Sequence, residues 1–306
     1  MDFIYVLGGL IGLFFGGEAL VRGSSGLARR MALSPLLIGL TVVGFGTSTP
    51  ELLISVNAAP SGAPDIALGN VLGSNIANIL LIIGLTALIW PINAPTGTVR
   101  RDTGVMIAAA VILLPLFAMV QVGHLAGLGL VAGLVCYLAW AYLAPGTDAC
   151  PDAAPAPVMR VLPAALWIVG GLILLLTGAH FLVEGSVAIA RSHGLSEAFI
   201  GLSIVAVGTS LPELATSIIA AFRRQSEIAI GNVIGSNIFN ILGILGVTAI
   251  ITPIPVAGRF LSFDLPAVIA ASALLAVLLL TRPMIGRAVG AGLLLAYAAY
   301  IIAAQA

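Results

Sequence analysis

The chain has 306 residues, of which 60% are hydrophobic and 8% are charged, and its formal net charge is zero. A soluble globular domain carries about 25% charged residues, so this composition excludes a soluble protein and indicates an integral membrane protein. The neutral balance gives no indication of nucleic-acid binding. The two cysteines, Cys136 and Cys150, have neither a metal-ligand nor a redox spacing. We therefore expect no disulfide, no zinc site and no cofactor.

Ten apolar runs long enough to cross the hydrocarbon core follow one another along the chain. They lie at about 3–21, 35–59, 65–90, 104–121 and 124–143, and then at about 163–183, 198–222, 227–251, 264–281 and 285–303. Open sheets cannot cross lipid, so the runs predict an all-α membrane protein. Residues 144–162 contain four prolines and two aspartates, and we expect them to form a linker outside the membrane. The first run lacks the positively charged start of a signal peptide, so we expect it to be retained.

The two sets of runs carry the same motifs, offset by 162 positions. The motif that begins at Gly46, Gly-Thr-Ser-Thr-Pro-Glu, returns at Gly208 as Gly-Thr-Ser-Leu-Pro-Glu. Residues 66–92 share 19 identities in 27 positions with residues 228–254. Because five is an odd number, the second copy must cross the membrane in the opposite direction. The sequence therefore predicts ten transmembrane helices as two inverted five-helix repeats, in residues 1–143 and 163–306.

All 12 basic residues are arginines, and their distribution predicts the orientation of the chain. In the ten-span arrangement only Arg191 and Arg259 lie on the side of the N-terminus. Cytoplasmic loops are enriched in Arg and Lys. We therefore expect a multi-pass protein of the inner (plasma) membrane, with both termini on the non-cytoplasmic side and a cytoplasmic linker. The arginines predicted to lie in loops on the cytoplasmic side are Arg22, Arg29, Arg30, Arg100, Arg101, Arg160, Arg223, Arg224, Arg282 and Arg287.

Two glutamates, Glu51 and Glu213, lie well inside their apolar runs. A carboxylate at that depth costs several kcal/mol unless it is paired, hydrated or liganded. No arginine is expected within a span to pair with them, so a cation is the expected partner. Pro50 and Pro212 precede the glutamates, and each removes a helical hydrogen bond and displaces the carbonyl four residues back. We therefore predict proline-broken core helices whose freed carbonyls offer further oxygen ligands.

The other polar side chains of the motifs are hydroxyls and amides. Ser74 and Asn78 are four residues apart and share a helical face, as do Ser236 and Asn240. Ca²⁺ takes about six to eight oxygen ligands, and Na⁺ can use the same oxygens. The motifs contain no Cys, Met or His, which argues against copper or zinc. The candidate ion-binding residues are Thr47, Ser48, Glu51, Ser74, Asn78, Thr209, Ser210, Glu213, Ser236 and Asn240.

The glycines of the second motif are expected to pack helices rather than to bind ions. Gly69 and Gly73, and likewise Gly231 and Gly235, have the four-residue spacing that is typical of helix packing in membranes. His180 has no catalytic partner nearby in the sequence, and we expect it to be incidental.

The four motifs resemble the alpha-repeats of the cation/Ca²⁺ exchanger superfamily, and the chain is similar to its prokaryotic Na⁺/Ca²⁺ exchanger branch. The pair G-T-S-x-P-E and G-N-V-x-G-S-N-I-x-N, occurring twice, carries the resemblance, which covers essentially the whole chain. The resemblance implies a secondary active antiporter that exchanges Na⁺ for Ca²⁺ by alternating access, with the bilayer and the two ions as its only implied partners. Glu51 and Glu213 would be the main Ca²⁺ carboxylates, with oxygens from Thr47, Ser48, Thr209 and Ser210. Flanking Na⁺ sites would be completed by Ser74, Asn78, Ser236 and Asn240.

Two differences between this sequence and related sequences predict the coupling ion. Relatives often carry aspartate at one of the positions that Asn78 and Asn240 occupy here, and an amide removes that titratable charge. The proton-coupled branch resembles G-N-A-x-E in the second motif, where this chain has Gly-Asn-Val-x-Gly. Both differences favour Na⁺ over H⁺, and an H⁺/Ca²⁺ antiporter is the alternative. The duplicated, proline-broken helices argue against a channel. An intramembrane hydrolase is disfavoured because the core motifs hold no His or Lys base and no paired aspartates.

Overall fold

A computed structural model describes residues 2–94, 99–144, 159–193 and 206–305. These ranges are almost entirely helical, as the composition predicts, but four two-residue strands depart from the all-α prediction. The strands are β1 (Ile92–Asn93), β2 (Gln121–Val122), β3 (Ile254–Pro255) and β4 (Met284–Ile285). The helices are α1 (Asp2–Arg30), α2 (Pro35–Thr47), α3 (Thr49–Ala58), α4 (Pro64–Ile89), α5 (Val99–Ala118), α6 (His124–Leu143), α7 (Val161–Ser192), α8 (Ala206–Gly208), α9 (Leu211–Phe222), α10 (Ser226–Ile251), α11 (Phe260–Thr281) and α12 (Arg287–Gln305).

The described ranges contain fewer helices that could cross a membrane than the ten that the sequence predicts. Within the described ranges, eight helices are long and apolar enough to cross a membrane, and the bent pair α2 and α3 brings the number to nine. The predicted seventh span, 198–222, lies partly outside the described residues, and only α8 and α9 represent it. The structure thus shows a multi-pass, almost entirely helical membrane protein without confirming the ten-span count. Most of the predicted linker and Cys150 also lie outside the described residues, whereas Cys136 is a free, exposed thiol.

Two helices are longer than the apolar runs that predict them. The first run ends near residue 21 but α1 continues to Arg30, and the sixth run ends near residue 183 but α7 continues to Ser192. Arg22 therefore lies inside α1 and not in a loop as predicted, and Arg29 and Arg30 form its last turn. A helix can continue past a charged residue such as Arg22 when a contact stabilises the charged side chain. The Arg22 guanidinium lies 4.9 Å from the ring centroid of Trp167, a favourable cation–π contact.

Glycines bring α1 and α7 into backbone contact. A Cβ atom added at Gly9 would lie 2.6 Å from the amide nitrogen of Leu182, and one added at Gly16 would lie 2.7 Å from that of Leu175. Higher numbers in α1 meet lower numbers in α7, so the two helices are antiparallel. Small residues allow this close approach in membranes. The glycines that form the α7 side of the seam are the repeat counterparts of those in α1, namely Gly171, Gly178 and Gly185.

The short strands join the two halves of the chain. β1 pairs with β4 and β2 pairs with β3, both antiparallel. β1 follows the C-terminal end of α4, and the backbone N–H of Asn93 donates to the hydroxyl of Ser226 at the start of α10 (3.3 Å). β3 follows the C-terminal end of α10 and packs against the N-terminal half of α4. Helices α4 and α10 therefore run in opposite directions, and the two sheets lie at opposite ends of them.

The repeated glycines of the second motif pack helices in one half. A Cβ atom added at Gly231 would lie 2.5 Å from a carbonyl oxygen of α2, and one added at Gly235 would overlap another carbonyl of that helix. At Gly69 the nearest described atom to an added Cβ is on Phe260, 4.0 Å away, and at Gly73 no described atom lies within 4 Å. The packing prediction is therefore confirmed for α10, and the described residues show no equivalent contact for α4.

Two buried carboxylates outside the motifs tie neighbouring helices together. Asp102 of α5 accepts a hydrogen bond from the Tyr137 hydroxyl of α6 (3.1 Å), and Asp264 of α11 accepts one from the Tyr300 hydroxyl of α12 (2.8 Å). An arginine side chain lies 2.7 Å from the first carboxylate and 3.3 Å from the second. Because each charge is both paired and hydrogen-bonded, its burial is compensated. The arginines are Arg101 and Arg259.

Candidate functional site

Both motif glutamates directly follow an interruption in a helix. In the first half the break falls at Ser48, and the axes of α2 and α3 differ by 47°. In the second half Thr209 and Ser210 separate α8 from α9. Each new helix has a proline in its first turn, together with Glu51 or Glu213. Each carboxylate therefore sits at a helix N-terminus, where the partial positive charge of the backbone stabilises it.

The carbonyl that Pro50 displaces does not remain free in the first half. The hydroxyl of Thr49 donates to the Gly46 carbonyl oxygen at 2.9 Å. A neighbouring side chain therefore replaces the hydrogen bond that proline removes, and the role of this carbonyl as an ion ligand stays a prediction. A carbonyl oxygen has two lone pairs, so one of them is still available.

Ser48 joins the two glutamate motifs directly. Its hydroxyl donates to Oε1 of Glu213 at 3.0 Å, across 165 positions of sequence. The Thr47 hydroxyl donates to Oδ1 of Asn232 at 3.2 Å, and Nδ2 of Asn232 donates to the backbone carbonyl of Glu213 at 3.2 Å. Glu51 and Glu213 are each 1% exposed. Polar side chains from both repeats therefore form one buried cluster.

The cluster includes two asparagines, Asn70 and Asn232, that are absent from the predicted set. Nδ2 of Asn70 donates to the backbone carbonyl of Glu51 and to the Ser55 hydroxyl, both at 2.9 Å. Asn232 makes the two equivalent bonds in the second half, at 3.2 and 3.0 Å. The sequence carried a signal for them, because Asn70 precedes Ser74 by four residues and so lies on the same helical face.

The remaining predicted residues on α4 and α10 have different partners in the two halves. Ser74 donates to the carbonyl four residues back in its own helix (2.6 Å), whereas Ser236 donates to the Gly44 carbonyl of α2 (3.2 Å). Nδ2 of Asn78 donates to Oδ1 of Asn237 at 3.0 Å. Asn78 and its counterpart on α10 both lie in π-helical stretches, which are frequent at functional sites. These stretches are Ala77–Ile82 and Phe239–Leu245, the latter containing Asn240.

Several buried polar atoms of the cluster have no hydrogen-bond partner among the described residues. They are Oε2 of Glu51, Oε2 of Glu213, Oδ1 of Asn78 and both amide atoms of Asn240. Buried polar groups are nearly always hydrogen-bonded, so such a concentration calls for an explanation. Oxygen acceptors beside two carboxylates fit the ligand preference of hard cations. The described ranges contain no cluster of three or more His, Cys, Asp and Glu side chains, so any further ligands there would be hydroxyl, amide or backbone oxygens.

A cavity of about 220 Å³ reaches the cluster between α7 and the two helix breaks. Pro50, Gly208 and Thr209 line it from the helix breaks, and His180 lines it from α7. His180, which the sequence leaves without a role, therefore shares a cavity with Thr209 of the second motif. Its imidazole is 73% exposed, and Nε2 lies 3.5 Å from the Glu184 carboxylate.

The position equivalent to His180 in the first half has a different partner. Glu18 of α1 occupies it, and its carboxylate is ion-paired with the guanidinium of Arg223 at the end of α9. The two long helices therefore meet the broken helices differently, one through an ion pair and the other across a cavity.

These features define a multi-pass membrane protein with a buried, acidic, oxygen-rich cluster between two sequence repeats. The chain belongs to the sodium/calcium exchanger family, because the family profile described as sodium/calcium exchanger protein matches residues 1–143 and 163–305. The resemblance drawn from the four motifs is confirmed. Members of the family are exchangers, not a class of enzymes.

Individual relatives cover most of the chain. It is 42% identical to the putative antiporter CaxA of Alkalimonas amylolytica over 257 residues, 82% of this chain and 81% of that protein. It is 31% identical to the sodium/calcium exchanger MaX1 of Methanosarcina acetivorans, over 99% of this chain and 98% of that one. The solved structure of the sodium-calcium exchanger NCX_Mj matches with a TM-score of 0.85 and 33% identity, covering 99% of this chain and 98% of that chain.

Proposed function

We propose that this protein is a secondary active antiporter that exchanges Na⁺ for Ca²⁺ across the membrane by alternating access. The observation that carries the proposal is the pair of buried glutamates, Glu51 and Glu213, each with an oxygen that has no hydrogen-bond partner among the described residues. Two ionised carboxylates balance the charge of one divalent cation. Family membership, and the similarity to MaX1 and NCX_Mj, support cation exchange.

The transported ions would be held by oxygen atoms alone. Glu51 and Glu213 supply the carboxylates for Ca²⁺, and residues around the helix breaks add hydroxyl and backbone oxygens. Ca²⁺ accepts this ligand set in flexible geometry. The flanking positions on α4 and α10 complete the Na⁺ sites. The residues around the breaks are Thr47, Ser48, Thr209 and Ser210, and the flanking residues are Ser74, Asn78, Ser236 and Asn240.

Exchange without leak would follow from the charge of the site. Ca²⁺ and Na⁺ compete for Glu51 and Glu213, so the two ions are not bound together. A site loaded with either ion is close to neutral and can pass through the closed intermediate. The empty site retains two carboxylates whose desolvation is costly, so the unloaded carrier does not change sides. Na⁺ and Ca²⁺ therefore shift the equilibrium between the inward-facing and outward-facing states only when they bind.

The two halves would be inverted repeats, residues 1–143 and 163–306, with ten spans in total. The opposite directions of α4 and α10, and the crossed pairing of the four strands, support this arrangement. In this proposal the predicted linker, residues 144–162, is cytoplasmic, although α7 already begins at Val161. The arginine distribution favours both termini on the non-cytoplasmic side of the inner membrane. An inverted pair of repeats provides two related conformations, one open to each side.

The mobile part of the exchanger would be the pair α1 and α7. Their seam consists largely of glycines, with backbone against backbone. Because this close backbone packing holds the two helices together, the pair can move as a unit against the broken helices that hold the cluster. In the present conformation the pair meets the broken helices in two ways. α1 contacts them through the ion pair of Glu18 with Arg223, and α7 faces them across the cavity that His180 lines.

The counter-ion is Na⁺ in this proposal, because the flanking positions carry the amides Asn78 and Asn240 and not a titratable acid. CaxA is called a putative antiporter, a name that leaves its counter-ion open. An H⁺/Ca²⁺ antiporter therefore stays the second candidate. The two differ in which gradient drives Ca²⁺ movement.

Proteoliposomes loaded with Na⁺ and diluted into Na⁺-free buffer should take up radioactive Ca²⁺ at equal internal and external pH. Vesicles loaded with choline at the same ionic strength should take up no more Ca²⁺ than protein-free liposomes. Uptake that requires an outward proton gradient and ignores Na⁺ would establish the H⁺/Ca²⁺ candidate instead. Uptake that follows the Ca²⁺ gradient alone, with no counter-ion, would contradict exchange and indicate a channel.

A further inference from the structure

We infer that Asn237 is a positioning residue, which orients the side-chain amide of Asn78 so that its carbonyl oxygen faces the transported ions. The inference rests on the proposed function and adds to it a residue outside the predicted ligand set. Asn237 lies on α10, and Asn78 lies in the π-helical stretch of α4. The two side chains come from different repeats.

The hydrogen bond between the two side-chain amides fixes which end of the Asn78 amide is left free. Nδ2 of Asn78 donates to Oδ1 of Asn237 at 3.0 Å, and both residues are buried, at 2% and 0% exposure. A side-chain amide has its donor on one side and its acceptor on the other. With the donor held by Asn237, Oδ1 of Asn78 is turned away from that bond, and it has no partner among the described residues.

The orientation of Asn237 is itself held from the other side. Its Nδ2 donates to the sulfur of Met106 on α5 at 3.7 Å. A thioether sulfur accepts hydrogen bonds weakly and never donates them. The amide nitrogen of Asn237 therefore belongs on the Met106 side, which leaves Oδ1 for Asn78. The two hydrogen bonds therefore run in one direction: Asn78 donates to Asn237, and Asn237 donates to Met106.

This orientation matters because the two ends of an amide differ in charge but hardly in shape. An Asn78 amide turned by half a rotation would present its NH₂ group, which repels a cation. Inside a buried site such a contact is unfavourable because little water screens it. Asn237 would thus raise Na⁺ affinity without touching the ion.

The equivalent pair in the other half lacks this bond. Asn75, the repeat counterpart of Asn237, donates from Nδ2 to the Val71 carbonyl of its own helix at 2.6 Å. Both amide atoms of Asn240, the counterpart of Asn78, are without a partner in the described part of the chain. Asn75 therefore provides a matched control position, with the same residue type, burial and motif but no bond to a flanking amide.

The test compares Asn237→Leu, Asn237→Asp and Asn75→Leu in purified full-length protein. Thermal unfolding is measured over a series of Na⁺ concentrations and, separately, of Ca²⁺ concentrations without Na⁺, because a bound ion raises the unfolding temperature. Leucine removes the acceptor, and loss of one hydrogen bond of this kind should raise the half-saturating Na⁺ concentration about fivefold to tenfold. Ca²⁺ affinity should change by less than about twofold, since the glutamates hold that ion.

The remaining variants separate positioning from simple packing. Asn237→Asp retains an oxygen that accepts from Asn78, so it should restore Na⁺ affinity to within about twofold of the unaltered protein or better. Asn75→Leu should leave Na⁺ affinity unchanged. An unaffected Na⁺ response in Asn237→Leu, an equal loss for both ions, or an equal loss in Asn75→Leu would each overturn the inference. If the unaltered protein responded to neither ion, the proposed function itself would fail, a result distinguishable from failure of the positioning role alone.

Discussion

Glu213→Gln should abolish Na⁺-driven Ca²⁺ uptake, reducing the rate at least about 100-fold, a difference of about 2.7 kcal/mol. Glutamine preserves the size of the side chain and the oxygen that accepts from Ser48 at 3.0 Å. It removes one of the two negative charges that face the divalent ion in a buried site, where Coulomb interactions are strong. Glu51→Gln should have the same effect for the same reason. Ca²⁺ uptake into Na⁺-loaded proteoliposomes measures the loss.

Two controls define what the glutamate result means. Asp65→Asn removes an acid from an exposed position in the first turn of α4, and it should retain most of the uptake. Glu213→Gln should also keep its thermal unfolding midpoint, because neutralising a buried carboxylate reduces its desolvation cost. Uptake by a well-folded Glu213→Gln protein at the rate of the unaltered one would contradict the assignment of the site.

Asn232→Leu should destabilise the folded protein by about 2–4 kcal/mol and reduce transport with it. The side chain is fully buried and joins three elements. It donates to Glu213 and to Ser217 of α9, and accepts from Thr47 of α2. Leucine has a similar volume but forms no hydrogen bond. The Glu213 carbonyl and the hydroxyls of Ser217 and Thr47 would each lose their bond to residue 232 inside the protein. Equilibrium unfolding in mixed micelles with increasing denaturing detergent measures the difference.

Asn57→Leu is the matched control for this prediction. Asn57 is exposed, and its Nδ2 donates to the Leu53 carbonyl within the same helix (2.7 Å). Its loss should cost less than about 1 kcal/mol, the usual range for an exposed substitution. Equal destabilisation by the two substitutions would mean that the network around Asn232 adds nothing to stability.

The duplicated motifs made the meeting of the two halves predictable. A polar group in an apolar span needs a partner, and each half offers the same groups at the same positions. The contact of Ser48 with Glu213 follows from that need. The partner of the carbonyl that proline frees was not predictable in the same way, because proline removes one hydrogen bond and does not determine which group replaces it. The Thr49 hydroxyl, which engages the Gly46 carbonyl, lies within reach only in the folded geometry.

Features that depend on distant sequence were not predictable. Asp102 and Tyr137 lie 35 positions apart, and no periodic pattern links a carboxylate on one helix to a hydroxyl on the next. The lengths of α1 and α7 were also missed, because the predicted runs stop before Arg22 and Glu184. Both residues lie inside their helices, and Arg22 stacks on Trp167.

The asymmetry between the halves has a different origin. Near-identical motifs bond Asn78 to Asn237 in one case, whereas in the other Asn75 donates to the Val71 carbonyl and Asn240 has no partner among the described residues. Identical sequences cannot specify such a difference by themselves. It arises from the conformation that the whole protein adopts, in which the two halves have unequal surroundings.

Equilibrium binding of radioactive Ca²⁺ to the purified protein, at a series of Na⁺ concentrations, tests most directly whether one pair of carboxylates serves both ions. Choline replaces Na⁺ at each step so that ionic strength, and with it electrostatic screening, stays constant. Competition at Glu51 and Glu213 predicts that Na⁺ raises the apparent Kd for Ca²⁺ while the amount bound at saturation stays the same. Ca²⁺ binding that is unaffected by Na⁺, or a falling saturation level at constant Kd, would contradict a shared site.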